Sequence, residues 1–160
     1  MPTPDFILAL RERVGTAPLW VPGCAAVVVR AQASGADEVL LVQRADTGEW
    51  TTVTGILEPG EQPGAGAVRE VLEETRVVAR PERLIWAHAT DEVVFDNGDR
   101  SSFLSLCFRC SWVSGEPEVG DDESQAVGWF AVDALPPLSP DNARRVALAL
   151  ADDPEAVFDT

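Results

Sequence analysis

Gly55-Ile-Leu-Glu-Pro-Gly-Glu61-Gln-Pro63-Gly-Ala-Gly-Ala-Val-Arg69-Glu70-Val-Leu-Glu73-Glu74-Thr-Arg76-Val77 reads as a glycine-containing loop that runs into a short helix. At about 100° per residue, Glu70, Glu73 and Glu74 fall within a sector of roughly 100°, while Ala65, Val68 and Leu72 share the opposite side. This pattern predicts one buried apolar face and one carboxylate face. Like charges so close repel and raise each other's pKa, and a hard divalent cation with a preference for oxygen, such as Mg²⁺, is the simplest compensation. A solvated acidic face on an amphipathic helix has the same spacing, so the helix alone leaves both readings open.

The whole segment, loop included, resembles the Nudix box. That pattern is Gly, five residues, Glu, seven residues, then Arg-Glu-apolar-any-Glu-Glu-any-Gly-apolar. Here it runs through Gly55, Glu61, Arg69, Glu70, Val71, Glu73, Glu74 and Val77. The one departure is Arg76, where the family has glycine just past the helix end. Glycine supplies a left-handed cap without steric cost, so Arg76 should either strain the exit by about 1 kcal/mol or let the helix run slightly further.

The chain has 160 residues, 46% of them hydrophobic, which suits a single domain over 1–160 with a full core. Its net charge of −15 repels polyanions, which argues against broad nucleic-acid binding. All twelve basic residues are arginine, a compositional bias that carries no mechanism. No apolar stretch approaches the ~20 residues of a membrane span, and the N-terminus lacks a signal-peptide layout, so a cytoplasmic protein without membrane contact is expected. Cys24, Cys107 and Cys110 are an odd set in such a chain and read as buried thiols; Cys107 and Cys110, three apart on a strand, face opposite sides. His88, the only histidine, lies in another strand-like run and reads as structural.

Phe6 to Val14 has the spacing of a short helix, and the runs Cys24 to Arg30 and Val39 to Arg44 read as a hairpin of buried strands, with Trp50 to Val53 a third. Pro63 opens the box helix where its missing N–H does no harm. Leu84 to Phe95 and Ser102 to Val113 flank Asp96-Asn97-Gly98-Asp99, a strong hairpin signal. Ala126 to Val132 reads as a last strand, and Asp141 to Ala151 as a closing helix with Val146, Leu148 and Leu150 in contact with the core. The sum is α/β, an α/β/α sandwich with a mixed sheet, and this order of elements is similar to the Nudix fold. The resemblance extends over roughly residues 20 to 140, through Leu40 to Arg44 and Gly48-Glu49-Trp50 before the box and Glu123, Trp129-Phe130 and Leu135-Pro136 after it.

The resemblance implies hydrolysis of a phosphoanhydride in a nucleoside diphosphate linked to another group, with Mg²⁺ or Mn²⁺. Carried over by position, Glu70, Glu73 and Glu74 would hold metal, helped by a backbone carbonyl at Thr54 or Gly55. Glu73 would accept the proton of the attacking water, and Arg69 with Glu61 would orient the ligands from behind. Gly66 and Ala67 would leave room for phosphate. In the acidic run Asp121-Asp122-Glu123, Glu123 is the candidate for an additional ligand or base, against a solvated loop. Trp20, Trp86, Phe95 and Phe103 are candidates to stack on a base. The family's markers for dinucleoside polyphosphates, ADP-ribose, coenzyme A and NADH are not evident, the stretch that would carry the first two being Glu92-Val93-Val94-Phe95, which leaves nucleoside triphosphates and nucleotide-sugar-type diphosphates, including ADP-ribose by a variant route. A catalytically silent Nudix-fold binder and an isopentenyl diphosphate type isomerase are alternatives, and a homodimer is compatible with the family.

Overall fold

Alternation along the first strand organises the molecule. In chain order the elements are α1 (Asp5–Val14), β1 (Leu19–Arg30), β2 (Glu38–Arg44), β3 (Trp50–Thr51), β4 (Val53–Ile56), α2 (Pro63–Thr75), β5 (Val78–Ala89), β6 (Val93–Val94), β7 (Arg100–Ser114), β8 (Ser124–Ala131), α3 (Pro140–Leu150) and β9 (Val157–Phe158). They are seen in a computed structural model that describes residues 3–33, 35–121 and 123–159. In β1, Cys24, Ala26 and Val28 face one core cluster with Ala67 and Val71 of α2, and Ala25, Val27 and Val29 face another with Val146 and Ala149 of α3. A strand buried on both faces must be apolar throughout, as this run is. The result is the expected α/β/α sandwich around a mixed sheet.

The sheet runs β3-β2-β1-β7-β5-β9, with β4 on β1, β6 on β7 and β8 on β2. β1 and β7 are parallel from Leu19↔Ser101 to Val29↔Ser111. The expected β1–β2 hairpin holds only at Val29↔Val39 and Arg30↔Glu38, because β4 occupies the same edge of β1 from Gly23↔Ile56 to Ala26↔Val53. Displaced from that edge, β2 pairs along its length with β8 instead. The loop of this hairpin includes Ser34, which lies outside the described residues.

Other differences are local. The run Trp50 to Val53 breaks in two at Thr52, whose N–H leaves the sheet for Asn142 Oδ1 at 3.2 Å. The first arm of the long hairpin begins at Val78 rather than Leu84 and ends at Ala89; β6 resumes the pairing near the turn, where Gly98 adopts φ 85°. In α3 Val146 is buried and Leu148 packs against the core as expected, whereas Leu150 is exposed and Arg145 and Ala149 are buried in addition. Cys107 and Cys110 do face opposite clusters, and burial pushes both thiols, and that of Cys24, up to about 12. Among the described residues no helix is long and apolar enough to cross a membrane.

Candidate active site

The face that α2 buries is only in part the one its apolar residues suggested: Val68 packs half-buried against the core. Ala65 and Leu72 are exposed, whereas Ala67, Glu70, Val71, Glu74 and Thr75 are buried. Ala67, Glu70, Val71 and Glu74 form an i, i+3, i+4, i+7 stripe, so two of the three carboxylates lie within the buried sector and Glu73 at its margin. Glu70 is 1% and Glu74 6% exposed. Carboxylates are almost never buried so completely without a partner.

One neighbour of Glu70 is shaped to it. Gly55, on β4, carries no side chain because a Cβ there would stand 2.0 Å from Glu70 Cδ. Gly66 has a comparable role, since a Cβ would stand 2.4 Å from Leu57 Cδ2 and 2.8 Å from Glu61 Oε2. The space beside Gly66 is therefore filled by the loop, and Ala67 packs in the core; neither leaves the expected room for phosphate.

Arg69 gathers the site. Its Nε and Nη2 donate to the two oxygens of Glu61 at 2.8 and 2.9 Å, Nη1 to Glu70 Oε1 at 3.0 Å and Glu73 Oε2 at 3.1 Å, and Nη2 also to the Ile56 carbonyl at 3.2 Å. Such a fork fixes three carboxylates and a strand end at once. The guanidinium holds the Glu61 carboxyl below its usual range. Glu70 Oε2 is buried with no hydrogen-bond partner among the described residues. Burial, opposed by Arg69, pushes Glu70 up to about 7; burial, then the charges of Glu70, Asp121 and Glu123, pushes Glu74 up to about 8.

The loop between β7 and β8 thus faces Glu74 from the side. Both Asp121 and Glu123 act on Glu74, so the structure does not single out Glu123. Asp122 lies outside the described residues. Sequence reasoning missed Gly120, whose N–H donates to the Glu74 carbonyl at 2.8 Å, and the Ile56 carbonyl; a glycine just before an acidic run was the available signal for the first. His88 is stacked on Trp86 at 3.5 Å on the α3 side of the sheet, away from these carboxylates. The apolar groove of about 350 Å³ along Leu135, Leu138, Val146 and Leu150 is on that side too. Of the stacking candidates, Trp20 and Phe95 are exposed and Trp86 is core.

Among the described residues, no group of three or more His, Cys, Asp and Glu side chains closes on an ion-sized position. Glu70 Oε1 and Glu73 Oε2 are instead turned to Arg69. The donor chemistry nevertheless suits a hard divalent cation: a buried carboxylate oxygen with no partner among the described residues and a second buried carboxylate one turn further along the helix.

The comparisons with known proteins agree with this geometry. The NUDIX domain model matches residues 21–150. A MutT-like protein from Streptomyces ambofaciens is 36% identical over 118 residues, 74% of this chain and 68% of that protein. The NAD-capped RNA hydrolase NudC of Pseudomonas aeruginosa is 36% identical over 104 residues, 64% of this chain but 34% of that protein, so the chain spans about a third of the length of this relative. The crystal structure of an ADP-ribose pyrophosphatase from Streptococcus suis superposes with a TM-score of 0.62 at 25% identity, covering 86% of this chain and 99% of that one. By the family model over most of its length, the MutT-like relative and the shared sandwich, the chain belongs to the Nudix family and is a pyrophosphohydrolase.

Proposed function

We propose that the chain hydrolyses the phosphoanhydride of a nucleoside diphosphate linked to a second group, with Mg²⁺ or Mn²⁺ held by Glu70, Glu73, Glu74 and the Gly55 carbonyl. The observation that carries this is the burial of Glu70 and Glu74 side by side, with one carboxylate oxygen unpartnered. A bound cation supplies an acidified water and neutralises charge on the diphosphate. Arg69 holds Glu70 and Glu73 in fixed orientations, as a rigid fork does for ligands that must not swing. Glu73, at the margin of the buried stripe with 45% of its side chain exposed, would accept the proton of the attacking water in this proposal. Glu123 is a further ligand or base in this proposal.

The substrate named for the Streptococcus suis enzyme and the NAD cap named for NudC share a diphosphate that joins two ribose units. We infer that a small dinucleotide-type diphosphate of this kind, ADP-ribose or NAD⁺, is the substrate; a net charge of −15 disfavours a long RNA attached to it. One catalytic domain working in the cytoplasm, as monomer or homodimer, completes the proposal. The deciding experiment incubates the protein with ADP-ribose, NAD⁺ and the nucleoside triphosphates, with Mg²⁺ or Mn²⁺ and then with chelator. AMP from ADP-ribose or NAD⁺, lost with chelator, is expected. Cleavage of triphosphates alone would overturn the substrate class, and no cleavage with any metal would favour the silent binder.

A further inference from the structure

Between Ser114 and Ser124 the chain leaves the sheet, and the middle of this loop is docked on the last turn of α2. Glu118 N–H donates to the Thr75 carbonyl at 2.9 Å and Gly120 N–H to the Glu74 carbonyl at 2.8 Å. These are the carbonyls that a helix end leaves without intrahelical donors, and the loop supplies them. Gly120 must be glycine for this approach, since a Cβ would stand 1.8 Å from the Glu73 carbonyl oxygen. Gly115 turns the chain at φ 90°, where a Cβ would stand 2.9 Å from the Arg76 carbonyl oxygen.

Arg76 closes the arrangement. It is the one non-glycine residue at positive φ among the described residues, with φ 60° and ψ 7°, so the left-handed exit of the two options is realised. Its N–H caps the helix on the Leu72 carbonyl at 3.0 Å, and its Nη2 donates to the Gly120 carbonyl at 2.8 Å. A glycine would adopt the same turn without strain but has no side chain to reach the loop. Asp121 follows Gly120 directly and its Oδ1 accepts from the Glu123 N–H at 3.1 Å, so the contact of Gly120 with the Glu74 carbonyl brings the acidic end of the loop to the last turn of α2.

We propose that Arg76, where the box departs from its pattern, is a positioning residue that with Gly120 clasps the β7–β8 loop to the end of α2 and sets how closely Asp121 and Glu123 approach Glu74. The clasp stands on these contacts, while its effect on metal binding rests on the metal reading of α2. Two readouts on the full chain separate them: hydrogen exchange at the Glu118 and Gly120 amides without metal, and Mn²⁺ affinity without substrate, followed by the spin resonance of free Mn²⁺. Arg76→Gly should quicken exchange at both amides at least about fivefold and weaken Mn²⁺ binding about three- to tenfold, as expected for one exposed hydrogen bond in a set of three. Arg76→Lys, whose ammonium can reach the same carbonyl, should restore most of both. Gly120→Ala should weaken Mn²⁺ further than Arg76→Gly. Unchanged exchange in Arg76→Gly would overturn the clasp; faster exchange with unchanged Mn²⁺ affinity would overturn the positioning role. A parent protein that binds no Mn²⁺ would overturn the metal reading and the positioning role together, leaving the clasp to be decided by exchange alone.

Discussion

Helices α2 and α3 begin alike, with proline just after the cap, and each buries charge against one face of the same sheet. Their solutions differ. On α3 the buried charge is a single cation, Arg145, whose Nη1 donates to Asn142 Oδ1 at 3.2 Å and Thr52 Oγ1 at 3.4 Å. Asn142 Oδ1 also receives Thr51 Oγ1, Thr52 Oγ1 and Thr52 N–H, and the nearby His88 yields, its pKa lowered by burial and then by Arg145, so that it stays neutral. On α2 the buried charges are two carboxylates, and the cation beside them, Arg69, is shared among Glu61, Glu70 and Glu73, so it does not offset the crowding of like charge around Glu74. The α3 side also keeps buried atoms without a partner among the described residues, Arg145 Nε and both His88 ring nitrogens, so what sets α2 apart is the clustering of like charge and not the orphaned oxygen alone. Clustered like charges are a request for a partner from outside.

That contrast breaks most readily at the carboxylates. Glu73→Gln and Glu74→Gln should each lower turnover by at least about 10²-fold. Of the two, only Glu74→Gln should also stabilise the metal-free protein, and only above about pH 8, where Glu74 is ionised and the substitution removes a buried like charge; near-wild-type turnover at saturating metal would take the residue out of the site. On the other face, Asn142→Ala strips one acceptor from several buried donors and should cost about 3 kcal/mol in chemical denaturation, with turnover at saturating metal within about threefold of the parent. A loss of turnover like that of Glu74→Gln would erase the distinction between the faces.

A subtler test is pH. Glu70 and Glu74 titrate in the native state at about 7 and about 8, against 4.5 ordinarily, so between these limits the native state binds more protons than the unfolded one. Their contribution to metal-free stability is therefore complete below pH 4.5 and is lost as pH rises through about 7 to 8. Thermal melts in chelator should fall across this window, and excess Mg²⁺, which binds the ionised forms, should flatten the fall. A rise with pH in chelator would show that the pair is already neutralised. The smallest effect is expected at the loop: Glu123→Ala should lower turnover more than Asp121→Ala, and equal losses would mean that the loop's total charge matters rather than one placed carboxylate.

Much of this architecture is legible without coordinates. The box announces its glycines and glutamates by spacing, and the turn at Asn97-Gly98 announces its hairpin. The phase of α2 is not legible from polarity, because Glu70 and Glu74 occupy positions where a pattern of apolar residues would place leucine or valine. Periodicity treats a buried carboxylate as a surface residue, and so it pointed to Ala65 and Leu72, which are exposed. Pairing was hidden for another reason. β1 and β7 pair residues 82 apart in the chain, as in Leu19↔Ser101, and nothing local in either says that they run parallel. The dependence of Gly55 on Glu70 is likewise a contact between elements, visible only once strand and helix are brought together.

The opposed orientation of Cys107 and Cys110 gives the protein built-in probes of its own opening. Cys24 and Cys110 report from the α2 side and Cys107 from the α3 side, and all three are silent to thiol reagents while the layers remain closed. Pulse alkylation read by peptide mass will therefore record which layer lifts first. With metal added, protection should rise at Cys24 and Cys110 ahead of Cys107, because the ligand clamps only the layer that holds it.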